Sequence, residues 1–233
     1  FNPEGVAVGY ERGMFFGSAY GWLLEENFDS NPDGQNADTQ IVGAQLGLKF
    51  GLLGGETRLA AHYYDLGGGE GSNPFFGGNA FGNSTVTETL SATVSRQVLL
   101  YDYNVAMLSG EMGLTLGSLP FSIWADYAQN MASDVEYDTA YGVGVVLGKA
   151  SNAKTWEAGI AYQSLDKDAL FAQIIDSDFG DGRTDSEGWF LKGGYAPVKN
   201  VTFNATYFIN TLNKDVGVEL DYNRLQLDIN YKF

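Results

Sequence analysis

The chain has 233 residues, no cysteine, a single histidine (His62) and a formal net charge of −16. This excludes a disulfide framework, a thiolate nucleophile or metal site, and a multi-histidine metal centre. The acidity excludes nucleic acid as a partner, because phosphate binding needs a basic footprint. Glycine is frequent at 31 and proline scarce at 5, and 14 tyrosines and 15 phenylalanines complete a β-rich, aromatic-rich composition for one domain, 1–233. No apolar run approaches the ~20 residues of a membrane helix, which leaves strands as the way across lipid. The chain opens on Phe1-Asn2-Pro3 without an initiator methionine, so it is expected to be processed or to be the carboxy-terminal portion of something longer.

A period of two in apolar residues runs through the sequence, as in strands with two unlike faces. Phe16, Ser18, Tyr20, Trp22 and Leu24 alternate with Gly17, Ala19, Gly21, Leu23 and Glu25. After an Asp/Asn/Gly-rich loop, Val42, Ala44, Leu46, Leu48 and Phe50 form the next set, followed by Leu59, Ala61 and Tyr63. A long loop is predicted over 65–96. Within 99–116 the phase changes, from odd Tyr101, Tyr103 and Val105 to even Met112, Leu114 and Leu116, which predicts a bulge near 107–110. Phe121, Ile123, Ala125 and Tyr127 then oppose Ser122, Trp124 and Asp126. Further sets are Tyr141 to Leu147, Trp156 to Tyr162, Trp189 to Tyr195 and Val201 to Ile209. The last strand is the cleanest, with Leu225, Leu227, Ile229, Tyr231 and Phe233 against Arg224, Gln226, Asp228, Asn230 and Lys232.

These ten segments predict an all-β fold, a transmembrane antiparallel up-and-down β-barrel or the carboxy-terminal part of a larger one. Short connections at 51–55, 117–120, 149–154 and 197–200 alternate with long ones, as periplasmic turns alternate with external loops. An even count of strands would bring both ends of the region to the periplasmic rim. Aromatics near the ends of the apolar sets, Tyr20 and Trp22 among them, read as interfacial girdles. The opposite face carries charges that a sandwich core would have to pair one by one, whereas a water-filled lumen holds them freely. The predicted pore-lining set is Lys49, Arg58, His62, Glu111, Asp126, Glu157, Lys192, Arg224 and Asp228.

The second half resembles the Putative porin family of Gram-negative bacteria. The stretches that carry the likeness are L-P-F-S-I-W-A-D-Y-A-Q-N from Leu119, W-E-A-G-I-A-Y-Q-S-L-D-K-D-A-L from Trp156, D-S-D-F-G-D-G from Asp176, G-G-Y-A-P-V-K-N-V-T-F-N-A-T-Y-F from Gly193 and the terminal Y-N-R-L-Q-L-D-I-N-Y-K-F. The resemblance implies an outer-membrane barrel whose last strand, Leu225, Leu227, Ile229, Tyr231 and Phe233, is its membrane-assembly signal. It also implies an amino-terminal segment beyond this chain. The expected partners are outer-membrane lipids and lipopolysaccharide, the barrel-assembly machinery, small hydrophilic solutes and further copies of the chain as a homo-oligomer, with no nucleic acid.

Two loops carry clustered carboxylates. Asp29-Ser30-Asn31-Pro32-Asp33-Gly34 opens like a calcium loop, yet Gln40 stands where the bidentate acid belongs. Asp176, Asp178, Asp181 and Asp185 form a second oxygen-rich set suited to Ca²⁺ in an external loop, the one cofactor these residues suggest, against the plainer reading of a solvated loop. Acid in the external loops (Asp166, Asp168, Asp176, Asp178, Asp181, Asp185 and Glu187 against Lys167 and Arg183) predicts a cation-concentrating vestibule. His62 has no nucleophile or orienting acid at a catalytic spacing, so the chain reads as a non-enzyme. Two functions stay open. One is a mildly cation-preferring porin for small hydrophilic solutes or ions. The other is a narrow closed barrel that binds a partner through its long loops, since water-filled porins have about 16–18 strands.

Overall fold

In the computed structural model the described residues are 4–25, 38–74 and 79–232. The alternating segments form one eleven-stranded antiparallel sheet: β1 (Glu4–Arg12), β2 (Phe15–Glu25), β3 (Thr39–Leu52), β4 (Gly55–Gly67), β7 (Asn104–Leu116), β8 (Leu119–Asn130), β9 (Thr139–Gly148), β10 (Thr155–Leu165), β11 (Ser186–Val198), β12 (Val201–Leu212) and β13 (Leu220–Tyr231), each bonded to its neighbours in that order. A separate hairpin, β5 (Thr85–Ser91) and β6 (Val94–Leu99), lies between β4 and β7 in sequence. Among the described residues β1 and β13 pair only on one side, and the only helical pieces are short 3₁₀ turns at Ala172–Ile174 and Phe179–Asp181.

Cross-strand register assigns the two faces. Leu46 stands opposite Ala61, Ala61 opposite Leu108, and Leu108 opposite Tyr127. Ile123, Val145, Ile160, Leu191, Tyr207 and Leu225 make a second apolar row across six strands. Among the described residues no layer covers this face: Leu46 is 74% exposed and Leu227 71%. A sandwich would bury such a surface against a second sheet, whereas a wall in lipid leaves it bare. Leu114, Val145, Ile160, Phe203 and Leu227 lie on it, with Gln45, Glu157, Asn204 and Asp228 on the other face.

Five expectations change. The sheet has eleven strands, because β1, with Val6, Val8 and Tyr10 on the apolar face opposite Gly21, Ala19 and Gly17, adds one before β2. The odd count sends the two ends of the sheet, at residues 4 and 231, to opposite rims. The loop expected over 65–96 is replaced from residue 85 by the β5–β6 hairpin, which runs on to Leu99 and is held by Arg96 Nε donating to Glu88 at 2.7 Å. No bulge interrupts β7, whose register with β4 and β8 runs unbroken, because Tyr101 and Tyr103 precede the strand and Val105 points to the polar face. Tyr20 and Trp22 also stand on the polar face, opposite Gly43 and Ile41, and do not join an outer aromatic girdle.

The core sits on the polar face at the rim where the long connections gather. Leu24, Ile41, Tyr64, Leu66, Val105, Ala128 and Ala140 occupy the polar-face ends of their strands, and Leu99, Tyr103, Ala169 and Phe171 from two long loops cover them. The Tyr103 and Phe171 rings lie 5.5 Å apart at a 56° tilt, a favourable offset for aromatic pairs. At the other rim the strands join through short turns, as at Gly117, whose φ of +65° suits glycine.

Candidate functional site: the polar wall and its closed rim

Three loops lock together over one mouth of the wall. Asn83 donates through Nδ2 to the Lys167 and Leu170 carbonyls, both at 2.9 Å, and accepts from the Ala172 amide at 2.8 Å. Asp168 is 1% exposed and accepts from the Ser84 amide at 2.8 Å and the Tyr103 hydroxyl at 3.0 Å. Asn130, at the end of β8, donates to the Asp102 and Asp168 carbonyls, both at 2.9 Å. Asp185 is 2% exposed, accepts from the Asp215 amide at 2.7 Å and lies 3.7 Å from the Lys167 ammonium. Lys214 bridges Asp166 at 2.5 Å and Asp215 at 2.6 Å. Desolvation works against its charge, but these two carboxylates prevail and raise its pKa. Burial, reinforced by Asp168, pushes the Tyr103 phenol well above its ordinary range. Buried charges cost less when each has partners, and this network supplies them.

Two of the acids assigned to a vestibule, Asp168 and Asp185, are thus structural and removed from water. The four acids of the suggested calcium loop are not gathered: Asp178 is 3.0 Å from Arg224, Asp176 accepts from the Asp178 amide at 2.9 Å, Asp181 ends a 3₁₀ turn, and Asp185 faces Lys167. Among the described residues no cluster of three or more carboxylates or histidines is placed to hold a metal. Asp29, Asp33 and Phe233 lie outside the described residues. Of the assembly-signal residues within them, Leu225, Leu227, Ile229 and Tyr231 all stand on the apolar face of β13.

All nine residues assigned to the pore lining stand on the polar face, and the register joins several of them. Lys49, Arg58, Glu111 and Trp124 form one row across β3, β4, β7 and β8. Lys49 pairs with Glu11, and Arg58 with Glu56 at 2.8 Å. On the far side Lys192 is 3.4 Å from Glu157, Arg224 holds Asp178, and Asp228 faces Asn204 across the β12–β13 pair. His62 shares a 2.8 Å hydrogen bond with the Tyr20 hydroxyl through Nε2, and its Nδ1 is 3.4 Å from Met107 Sδ. Both ring nitrogens are therefore occupied by wall residues.

Aromatic rings take up the space a side chain would need at several glycines of this wall. A Cβ on Gly144 would stand 2.6 Å from the Trp124 indole, and one on Gly47 would stand 2.1 Å from the Phe16 ring. Only a residue without Cβ lets the rings settle onto the backbone there. Sequence reasoning placed Trp124 on the polar set but gave it no role, and it missed Asn83, Asn130, Lys214 and Asp215. Those four act through partners distant in sequence, so no local spacing marks them.

A bare apolar face, a charged face under inward-folded loops, and short turns at one rim with long loops at the other define the wall of a porin-type barrel. The Putative porin family matches residues 79–233, and the chain belongs to that family. Among solved structures, OprB of Pseudomonas putida is similar at a TM-score of 0.55 and 16% identity, with 98% of this chain and 58% of that one covered. This chain thus spans 58% of the length of that porin, and the likeness is one of fold. No match was found among curated proteins.

Proposed function

We propose that the protein is an outer-membrane porin that passes small hydrophilic solutes and ions by diffusion, with a modest preference for cations. The carrying observation is the pairing of an uncovered apolar face with a polar face bearing charge on most of its strands. Free strand edges are untenable in lipid, so the working wall is closed, either β1 to β13 or each to further strands. The cation preference rests on the wall itself: over β1–β8 the acids Glu11, Glu56, Glu111 and Asp126 face only Lys49 and Arg58. Pore selectivity follows the charges that line it.

A second reading, a closed barrel with a structural or partner-binding role, is favoured by one observation, the interlocked loops over one mouth. Planar bilayers separate the two. The full-length protein should conduct, and its reversal potential in a KCl gradient should show cation preference that weakens as salt shortens the Debye length. A chain that inserts without conducting supports the closed barrel, and anion preference rejects the wall-charge argument.

A further inference from the structure

Among the described residues the polar wall has one place where an aromatic side chain and carboxylates without an ion pair coincide. Trp124 on β8 rests with one side of its indole over Gly142 and Gly144 of β9, where added Cβ atoms would approach to 3.1 and 2.6 Å, and it stays partly exposed on the polar face. Glu111 of β7 is its direct cross-strand partner, and Asp126 stands two residues along β8 on the same face. Directly opposed side chains on one face approach within ~5 Å at Cβ, and a two-residue neighbour lies ~7 Å away. Both carboxylates are exposed, and among the described residues neither makes an ion pair or hydrogen bond. The nearest wall cation, Arg58, stands directly opposite Glu111 and feels its charge, but its guanidinium is shared with Glu56 at 2.8 Å, which leaves three carboxylates around one cation. The station lies below the loops, since Ala128 and Asn130 further along β8 are buried beneath them.

We propose that Trp124, Glu111 and Asp126 form a binding station for organic cations: an alkylammonium or guanidinium head over the open indole face, between the two carboxylates. Aromatic faces attract cations, most strongly indole, and a carboxylate pair short of positive charge adds a charge-assisted contact on each side. Such a guest also relieves the mutual repulsion of Glu111 and Asp126, which a neutral guest cannot do. Phe16, which packs on Gly47 in the same way, lacks this setting, because its cross-strand neighbour Glu11 is already held by Lys49. The proposal rests on the polar face being the wetted wall of a pore.

The test is calorimetric titration of the folded full-length protein in detergent with choline, and with 3,3-dimethylbutan-1-ol as a neutral guest of the same shape. Choline should bind saturably and about tenfold more tightly than the neutral guest. Trp124→Leu should abolish binding, Trp124→Tyr should retain part of it, and Glu111→Gln with Asp126→Asn should weaken it about tenfold. Glu88→Gln in the β5–β6 hairpin should leave it unchanged. Equal affinity for the two guests, unchanged binding in the folded tryptophan variants, or no saturable binding by wild type would overturn the proposal. If Trp124→Leu fails to fold, the tyrosine variant and the carboxylate pair still decide it. Conductance is a separate readout: choline binding without conduction would sink the porin reading alone, and conduction without choline binding would sink the station alone.

Discussion

The rim and the lower wall use the same residue types to opposite ends. At the rim, Asp168, Asp185, Asn83 and Asn130 are at most 5% exposed and their bonds tie loops to strands. Lower down, Glu111, Asp126 and Arg58 are exposed on the same face of the same sheet. The difference is the cover. Where Tyr103 and Phe171 fold over the strands, each polar group needs a protein partner, and where nothing covers the wall, water serves. Rim carboxylates are therefore part of the fold, whereas Glu111 and Asp126 on the wall are left without a protein cover.

The sharpest way to break this contrast is to remove one rim carboxylate. Asp168→Ala leaves the Tyr103 hydroxyl and the Ser84 amide without their acceptor, at a cost of about 1–3 kcal/mol for each donor left unpaired. Denaturant titration should show that loss, and the loosened loops should raise conductance. The rim also has a pH limit. Because the Tyr103 phenol is raised above its ordinary value of 10.0, its contribution is complete below that pH and is lost as pH rises further, when the unfolded chain ionises first. Tyr103→Phe should flatten that alkaline loss in the same titration.

On the outer face Val145→Arg should cost ~2–4 kcal/mol if it sits near the bilayer midplane, whereas Gln45→Arg, on the polar face, should be nearly neutral. Reversed costs would mean that the faces are exchanged. Gly144→Ala pushes a methyl to 2.6 Å from the Trp124 indole, so overpacking should cost about 1–3 kcal/mol and shift tryptophan fluorescence. The smallest effect is expected at the Lys49–Glu11 pair, partly exposed at 29% and 62% of the two side chains. Lys49→Ala should change stability by ~0–1 kcal/mol while making the pore more cation-preferring.

Much of the wall was legible in the sequence. Leu225 to Tyr231 alternate so strictly that strand and facing both followed, and the charged set proved to share one face across seven strands. What failed was local pattern where both faces carry aromatics. On β2 a period of two separates Tyr20 and Trp22 from Ala19 and Gly21 without saying which set looks inward, and the answer depends on the loops that cover Leu24 and Tyr64. The rim was illegible for the same reason. Asn83 meets Leu170 across 87 positions, so Asp168 and Asp185 look like exposed loop acids until the chain is folded. Val105 misled in a smaller way, since an apolar residue bound for the inner core imitates a change of phase.

The central claim is that one face of the sheet meets water and the other lipid, with the loops folded onto the watered side. The chain lacks cysteine, so single thiols can be placed without background. The most direct measurement is labelling of the full-length protein in liposomes by a small charged maleimide, with cysteine at Gln45, Asp126 and Asn204 on the polar face, at Leu46, Ala125 and Ala205 on the apolar face, and at Ala128 beneath the loops. Fast labelling of the first three, none of the second three, and labelling at position 128 only after Asp168→Ala is the expected result. Labelling of the apolar set in place of the polar set, or free access at position 128 in the intact protein, would contradict it.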